Sequence, residues 1–445
     1  MQEAEKLGEE PIGHLLLANS VHSSIALLAY GIYGITDMLI VSWGVNETAA
    51  GAVAFVSPIM LILNAVSTTM GAGGAVLISR ALGKKDLQNA AAIAANVFLV
   101  FWFFAILLTV AGLVFLNPIL GFMGVTENIY PYAKDYAEII LLGAITSTAF
   151  SSLIRAEGAM RYALKIWLYP VIVNLALDSL FVYAFGLAVR GAALATIFSQ
   201  LVSICMYIWF FFMRGDRAYE IKKGSFRPDL KIIKTIVWLG LPSLITHLSS
   251  SVYMILTNRY LGLLGGGPAI TAMGFALKIQ AFLTMPQSGI IQGMQPLLGY
   301  NDSNGRQNRV GETIRMSAAM SFGYGLFVAG IAYFFREKLL SIFTSDEAMI
   351  GFGDVCLIYV TATTALRSFC PLLIAFYQAI GNAGRALAVI LCSAIIKIQL
   401  MVIMVNIWGT EGILWSYIAA DVLTFLFGIS YFLLHGSYPI RKSSK

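Results

Sequence analysis

Charge is what this chain has least of. Only 12% of its 445 residues are Asp, Glu, Lys or Arg, while 58% are hydrophobic, and the mean hydropathy is +0.79. A composition so poor in charge excludes a water-soluble multidomain enzyme and points to a polytopic membrane protein. Cysteine is scarce too. Cys205, Cys356, Cys370 and Cys392 lie in apolar surroundings without metal-ligand spacing, which leaves buried reduced thiols and implies no disulfide framework. The four histidines, His14, His22, His247 and His435, are too scattered for a metal site. There is no His-Glu-x-x-His, no Gly-x-Ser-x-Gly and no His or Cys cluster at catalytic spacing, so nothing supports an intramembrane enzyme. The segment from Met1 to Pro11 is polar and acidic and lacks the basic start of a signal peptide, so the first span is expected to stay in the mature chain.

What the chain has instead is apolar length. Runs of about 20 or more residues between polar breaks give twelve spans. The first six lie near 15–43, 51–79, 90–116, 131–155, 162–186 and 191–213, and the second six near 232–262, 268–299, 309–335, 350–380, 385–408 and 412–434. The expected fold is therefore an all-α membrane protein. Its parts are a cytoplasmic segment 1–14, an amino lobe 15–213, a charged cytoplasmic linker 214–231, a carboxyl lobe 232–434 and a cytoplasmic tail 435–445.

The net charge of +6 would suggest nucleic acid in a soluble protein, but here the basic residues gather in short loops and read as topology signals. With the N-terminus inside, the loops holding Arg80, Lys84 and Lys85, then Arg155, Arg161 and Lys165, the linker, the group Arg306, Arg309 and Arg315, and the tail all face the cytoplasm. Lys134, Arg190, Arg259, Arg336 and Lys338 face the other side. About four-fifths of the loop cations then lie inside, which is the positive-inside bias. Both termini are expected in the cytoplasm and the chain in the cytoplasmic (inner) membrane, with no nucleic-acid partner.

Acids inside the spans stand out. Asp37 sits within the run Leu15 to Trp43, and a carboxylate at membrane depth is costly unless it has a function or reaches headgroup water near a helix end. Asn174 and Asp178 are four residues apart, hence on one helix face, inside the apolar run from Ile166 to Phe185. Two carboxylates sharing one dehydrated pocket cannot both stay ionised without a cation between them, so the pair suits a proton or a hard ion such as sodium. The competing reading is interhelical hydrogen bonding. Lys278, Arg367 and Lys397 against Asp421 make the second lobe basic inside. They either bind an anionic part of a substrate or pair across the cavity, or Lys278 or Lys397 pairs with Asp421 or snorkels.

The two halves repeat. Tyr33-Gly34-Ile35-Thr36-Asp37 aligns with Tyr253-Met254-Ile255-Leu256-Thr257, and Arg155-Ala156-Glu157-Gly158 answers Gln378-Ala379-Ile380-Gly381. Arg190-Gly191-Ala192 answers Glu411-Gly412-Ile413, and Lys397 aligns with Asn174. Three landmarks in one order favour a duplication over chance likeness of apolar helices. An even number of spans per half makes the copies parallel, two six-helix lobes related about an axis along the membrane normal.

Gly71 through Ser79-Arg80-Ala81-Leu82-Gly83-Lys84-Lys85-Asp86, Gln295-Pro296-Leu297-Leu298-Gly299-Tyr300-Asn301 and Arg155-Ala156-Glu157-Gly158 resemble signatures of the multidrug and toxic compound extrusion (MATE) family. The resemblance covers nearly the whole chain. It implies a V-shaped pair of six-helix lobes and a monomer that exports small amphipathic or cationic molecules against a sodium or proton gradient, with no cofactor beyond the coupling ion. It places Asp37, Asn174, Asp178 and Thr196 at the family's amino-lobe cation site. The seventh span, Ile232 to Gly262, and the part of the tenth from Val355 to Ile380 carry no acid, which resembles the branch related to the DNA-damage-inducible F proteins. One departure is His22 where the family's first span carries a proline, while the second half keeps Pro242 at the equivalent place. His22 is expected to pack by hydrogen bonding, and a proline kink driven by protonation of the first span is in doubt here. Gly289 and Gly293 form a small-xxx-small pair, and the 17 methionines would suit an adaptable pocket if they do not simply face lipid. A flippase for lipid-linked sugars or lipids is the rival function, and the basic residues of the second lobe fit it.

Overall fold

The computed structural model describes residues 2–45, 47–123, 128–146, 150–215, 217–344 and 346–435. Without water to satisfy backbone N–H and C=O groups, an apolar segment must pair them internally, and a helix does so within one stretch of chain. Among the described residues every regular element is accordingly helical. In order they are α1 (Gln2–Glu9), α2 (Ile12–Gly44), α3 (Glu47–Gly83), α4 (Leu87–Val114), α5 (Leu116–Phe122), α6 (Tyr130–Leu142), α7 (Ser151–Ala156), α8 (Met160–Ser179), α9 (Ala188–Ile208), α10 (Leu230–Ser303), α11 (Gln307–Leu340), α12 (Glu347–Thr361), α13 (Thr364–Arg367), α14 (Phe369–Ala379) and α15 (Ala383–His435).

Among the described residues ten helical segments are long and apolar enough to cross a bilayer, and the bent pair Glu347–Thr361 with Thr364–Ala379 makes an eleventh. Helix α10 supplies two of these, Leu230–Leu264 and Ala269–Ser303. The 53 residues of α15 would measure about 80 Å if straight, far more than one bilayer. They turn instead at Gly409, whose φ of 58° and ψ of −130° are strained for any residue with a Cβ. Helix α15 therefore holds two spans, and the count reaches twelve.

The helices are apolar all round, as membrane spans are. On α4 the large side chains Phe103, Ile106 and Val110 are exposed, whereas Ala90, Ala94, Val97, Phe101 and Ala105 are buried. Large apolar side chains thus occur on both faces, and the alanines of the buried one permit close packing.

The chain divides into two compact units. One comprises Met1–Lys6 with Ile25–Gly240, the other Leu7–Ser24 with Leu241–Lys445. Helices α2 and α10 are each split between units, at Ser24 and at Gly240. The core of the first includes Val41, Val56, Leu120 and Tyr136. That of the second includes Met273, Leu357, Met401 and Tyr417. Each unit also has a broken span at the same place in its repeat. In the first, α6 ends at Leu142 and passes into a 3-10 turn, Gly143–Thr146, before α7. In the second, α12 ends at Thr361 ahead of α13 and α14. Gly158 and Gly381, aligned in the repeat, both have positive φ, at 85° and 82°.

Glycine sets the closest helix contacts. A Cβ on Gly240 would lie 2.0 Å from the Thr69 carbonyl oxygen, and one on Gly73 would lie 2.0 Å from that of Ile236. In the second unit a Cβ on Gly289 would lie 2.2 Å from Ser24 Oγ, and Gly293 packs on Asn19 and Ser20. Because the obstacle at Gly240 is backbone, even one methyl must separate α3 from α10. Gly240→Ala is expected to cost at least the roughly 1–3 kcal/mol of an overpacked site and to lower the thermal midpoint of the detergent-solubilised protein. Gly274→Ala, with open space around it, is the control and should leave the midpoint unchanged or slightly higher.

The linker is fastened to the first unit. Arg217 donates from Nη2 and Nε to the Glu157 carboxylate at 2.5 and 3.1 Å and from Nη1 to the Phe211 carbonyl, while Tyr219 Oη donates to Glu157 at 2.6 Å. The side chains of Arg217 and Glu157 are only 4% and 6% exposed. Burial, reinforced by the Glu157 carboxylate, pushes the Tyr219 phenol well above its ordinary pKa and keeps it a donor. Buried Asn96 of α4 holds the far end, donating to the Arg227 carbonyl and accepting from the Asp229 amide.

Candidate functional site

In the first unit, α8 carries Asn174 and Asp178 one turn apart, and the fold buries both, at 1% and 0% exposure. Thr196 lies on α9, which packs along α8, and is 1% exposed. Tyr33 of α2 joins them through a 3.0 Å hydrogen bond between its hydroxyl and Thr196 Oγ1. Asp37 is one turn further along α2, and its side chain falls outside the described residues. Among the described residues neither amide atom of Asn174 has a hydrogen-bond partner. A buried amide left in that condition costs about 1–3 kcal/mol, a debt that an ion taking oxygen ligands would relieve.

The second unit supplies an internal comparison. In the repeat register, positions 37, 178 and 196 correspond to Thr257, Met401 and Tyr417. Those three meet: Thr257 Oγ1 lies 3.7 Å from Met401 Sδ and 3.3 Å from the Tyr417 hydroxyl. The duplicated fold thus brings these three positions together in the copy where all three side chains are described. Here the trio is uncharged and satisfies itself.

A cavity of about 120 Å³ adjoins the acidic site in the first unit. Its walls include Tyr30, Tyr33, Trp167, Tyr207, Asn64 and Gln200, and no charged side chain lines it among the described residues. The Tyr30 and Trp167 rings meet edge to face at 5.2 Å. The cavity and the acidic site share three helix stripes. Tyr30, Tyr33 and Asp37 follow on α2, Trp167, Val171, Asn174 and Asp178 on α8, and Thr196, Gln200, Ser203 and Tyr207 on α9, each at helical spacing. Sequence reasoning missed the aromatic members. Their signal was the continuation of the polar stripe toward Trp167 and Tyr207, in helices where aromatics are common on every face.

The basic residues of the second unit separate into two groups. Asp421 of α15 is 1% exposed and pairs with Arg367 at 3.0 Å and with Lys397 at 3.7 Å, and it accepts a 2.7 Å hydrogen bond from Thr363. Lys278 is exposed on α10 and joins no ion pair among the described residues. His22 is a packing residue, its Nδ1 lying 2.5 Å from the Ala18 carbonyl, which fixes Nδ1 as the protonated nitrogen.

Comparison with known proteins places this architecture. The MatE family model matches residues 23–180 and again 242–403, one match in each half. The chain belongs to the MATE family. It is a multi-pass membrane transporter and not an enzyme. The multidrug export protein MepA of Staphylococcus saprophyticus is 24% identical over 412 residues, 91% of this MATE chain and 90% of that protein. MepA of Staphylococcus aureus strain N315 is 25% identical over 421 residues, 93% and 92% of the two chains. Among solved structures, the outward-facing conformation of a multidrug resistance MATE family transporter superposes with a TM-score of 0.90 at 22% identity, covering 97% of this chain and 98% of that one. A MOP superfamily transporter from Pyrococcus furiosus, described as having a binding pocket of reversed polarity, gives 0.88 at 23% identity over 96% and 97%. These structural likenesses establish the MATE fold.

Proposed function

We propose that this protein is a multidrug exporter of the cytoplasmic (inner) membrane, a monomer with both termini in the cytoplasm, driven by antiport of protons or sodium. The observation that carries the coupling is the burial of Asp178 and of the unpartnered Asn174 amide on one face of α8. A carboxylate in that setting is tolerated when a cation visits it. Asp37 and Asp178 hold the proton or ion, Asn174 and Thr196 add neutral oxygens, and the self-satisfied trio Thr257, Met401 and Tyr417 supports the convergence of positions 37, 178 and 196. Alternating access follows if the cation binds one conformation better than the other, because a ligand shifts a balance only by its differential affinity. Multidrug export comes from the MepA relatives.

The aromatic cavity, with room for about one ring, suits the aromatic end of an amphipathic organic cation, held by ring faces and by the Asn64 and Gln200 amides. Tyr33 lines the cavity and bonds Thr196, so substrate in the cavity and the ion at the acidic site act on one side chain. Trp167→Ala is expected to raise the KM for efflux of aromatic cations about thirtyfold, the equivalent of a desolvated cation–π contact. An unchanged KM would place the substrate elsewhere. The reading as a whole is tested by dye efflux from proteoliposomes under separately imposed sodium and proton gradients. Efflux under one gradient and not without it is the expected result, and efflux indifferent to both would refute antiport.

A further inference from the structure

The basic cluster of the second unit is not a simple ion pair. Arg367 and Asp421 alone would be neutral, with Arg367 Nε donating to both carboxylate oxygens at 3.0 and 3.3 Å and Thr363 completing the shell. Lys397 adds a second positive charge to a pair already balanced. At 3.7 Å its ammonium is beyond hydrogen-bond range of Asp421, and it has no other acid among the described residues. Unbalanced charge inside a helical bundle is expensive unless a counterion comes to it.

The pair leaves donors unused. Nε is the only guanidinium nitrogen of Arg367 that bonds the protein among the described residues, which leaves the Nη1 and Nη2 edge open. The Tyr417 ring, 5.9 Å from the guanidinium carbon, backs the group. The Arg367 and Lys397 side chains are 21% and 33% exposed, while the acid behind them is 1% exposed. The cations are thus the accessible part of the cluster. Arg367 also lies just past the break of its span, where α12 ends at Thr361. Pro371, four residues on, has no N–H to give the Arg367 carbonyl, and α12 meets the following helix at 46°. Interrupted helices at mid-span are where transporters hold polar cargo.

We propose that Arg367 and Lys397 form a binding site for an oxyanion group, a carboxylate or phosphate, carried by an amphipathic ligand. The Nη edge takes two oxygens side by side, Lys397 takes a third contact, and the ligand's charge balances the cluster. Asp421 is the positioning residue that fixes the guanidinium through Nε. The proposal rests on the transporter reading and extends its substrates to anionic and zwitterionic molecules. Its test is equilibrium binding without any gradient, so failed coupling and failed anion binding are told apart.

The full-length protein in neutral detergent is titrated with 1-naphthoate, its uncharged methyl ester, inorganic phosphate and a short-chain phosphatidylglycerol, following the thermal midpoint. A saturable upward shift with an oxyanion and none with the ester is expected. Arg367→Gln should weaken that binding about tenfold, the scale of one lost charge-assisted contact, and Arg367→Lys should fall between because it keeps the charge and loses the fork. Lys397→Gln leaves the Arg367–Asp421 pair whole and gives the same reading if Arg367→Gln does not fold. Lys278→Gln, outside the cluster, should bind as wild type does. A response to naphthoate or phosphate assigns the site to soluble anions, and a response to the lipid alone assigns it to a headgroup. Equal shifts with acid and ester, no shift with any oxyanion, or undiminished binding in both Arg367→Gln and Lys397→Gln would overturn it.

Discussion

Asp178→Asn is expected to abolish gradient-driven export while leaving the protein folded and inserted. The substitution keeps size and hydrogen-bonding shape and removes the charge, so the site is held permanently in a state that mimics the bound proton. Burial makes this decisive. A surface acid could be replaced with little effect, but at 0% exposure the carboxylate has no bulk water to share its charge with. Removing the need for a counterion should also make the folded protein somewhat more stable, by up to the few kcal/mol that a carboxylate costs at membrane depth. Loss of transport with an unchanged or raised thermal midpoint is therefore the signature. Retained export at normal expression would show that Asp178 only ties helices together.

The second large effect is predicted at the linker. Glu157→Gln leaves Arg217 buried at 4% exposure without its counter-charge. Breaking a buried pair by removing one partner costs about 3–5 kcal/mol, chiefly the penalty of the charge left behind. The segment from Arg214 to Asp229 should then become sensitive to trypsin, and the thermal midpoint should fall. Replacing the whole cluster, Glu157→Leu with Arg217→Met and Tyr219→Phe, should recover most of the loss, because a packed apolar cluster needs no counter-charge. A triple variant as unstable as the single one would mean that the pair contributes net stability of its own.

Much of this was readable from residues because membrane proteins punish polarity. The twelve spans follow from apolar length, and α15 holds two of them because a single glycine turns the chain where two helices meet. Asn174 and Asp178 stood out as polar groups in an apolar run, Thr196 came only from the family resemblance, and the fold buries all three. Asp37 stood out for the same reason, and its side chain lies outside the described residues. The aromatic cavity was not legible. Tyr30 and Trp167 differ from Phe103 on the outside of α4 only in which way they face, and in a helix that is apolar all round composition does not encode facing. The basic cluster was half legible. Lys278, Arg367 and Lys397 were alike as charges, yet only two of them reach Asp421, since pairing depends on which spans are neighbours.

The duplication ties the two units together chemically. Equivalent positions hold an acidic trio in one copy and Thr257, Met401 and Tyr417 in the other, while Asn174 is answered by Lys397. The two proposals together make one duplicated arrangement a site for positive charge in one unit and for negative charge in the other.

The central claim is that a cation occupies the site of the buried Asp178 carboxylate and leaves when substrate acts on it. It is tested most directly by adding an exported dye to the purified protein in weak buffer and recording proton release and sodium release together. One cation should leave per dye bound in the wild type and none in Asp178→Asn. Dye binding that displaces neither ion from the wild type, or equal release from both proteins, would contradict it.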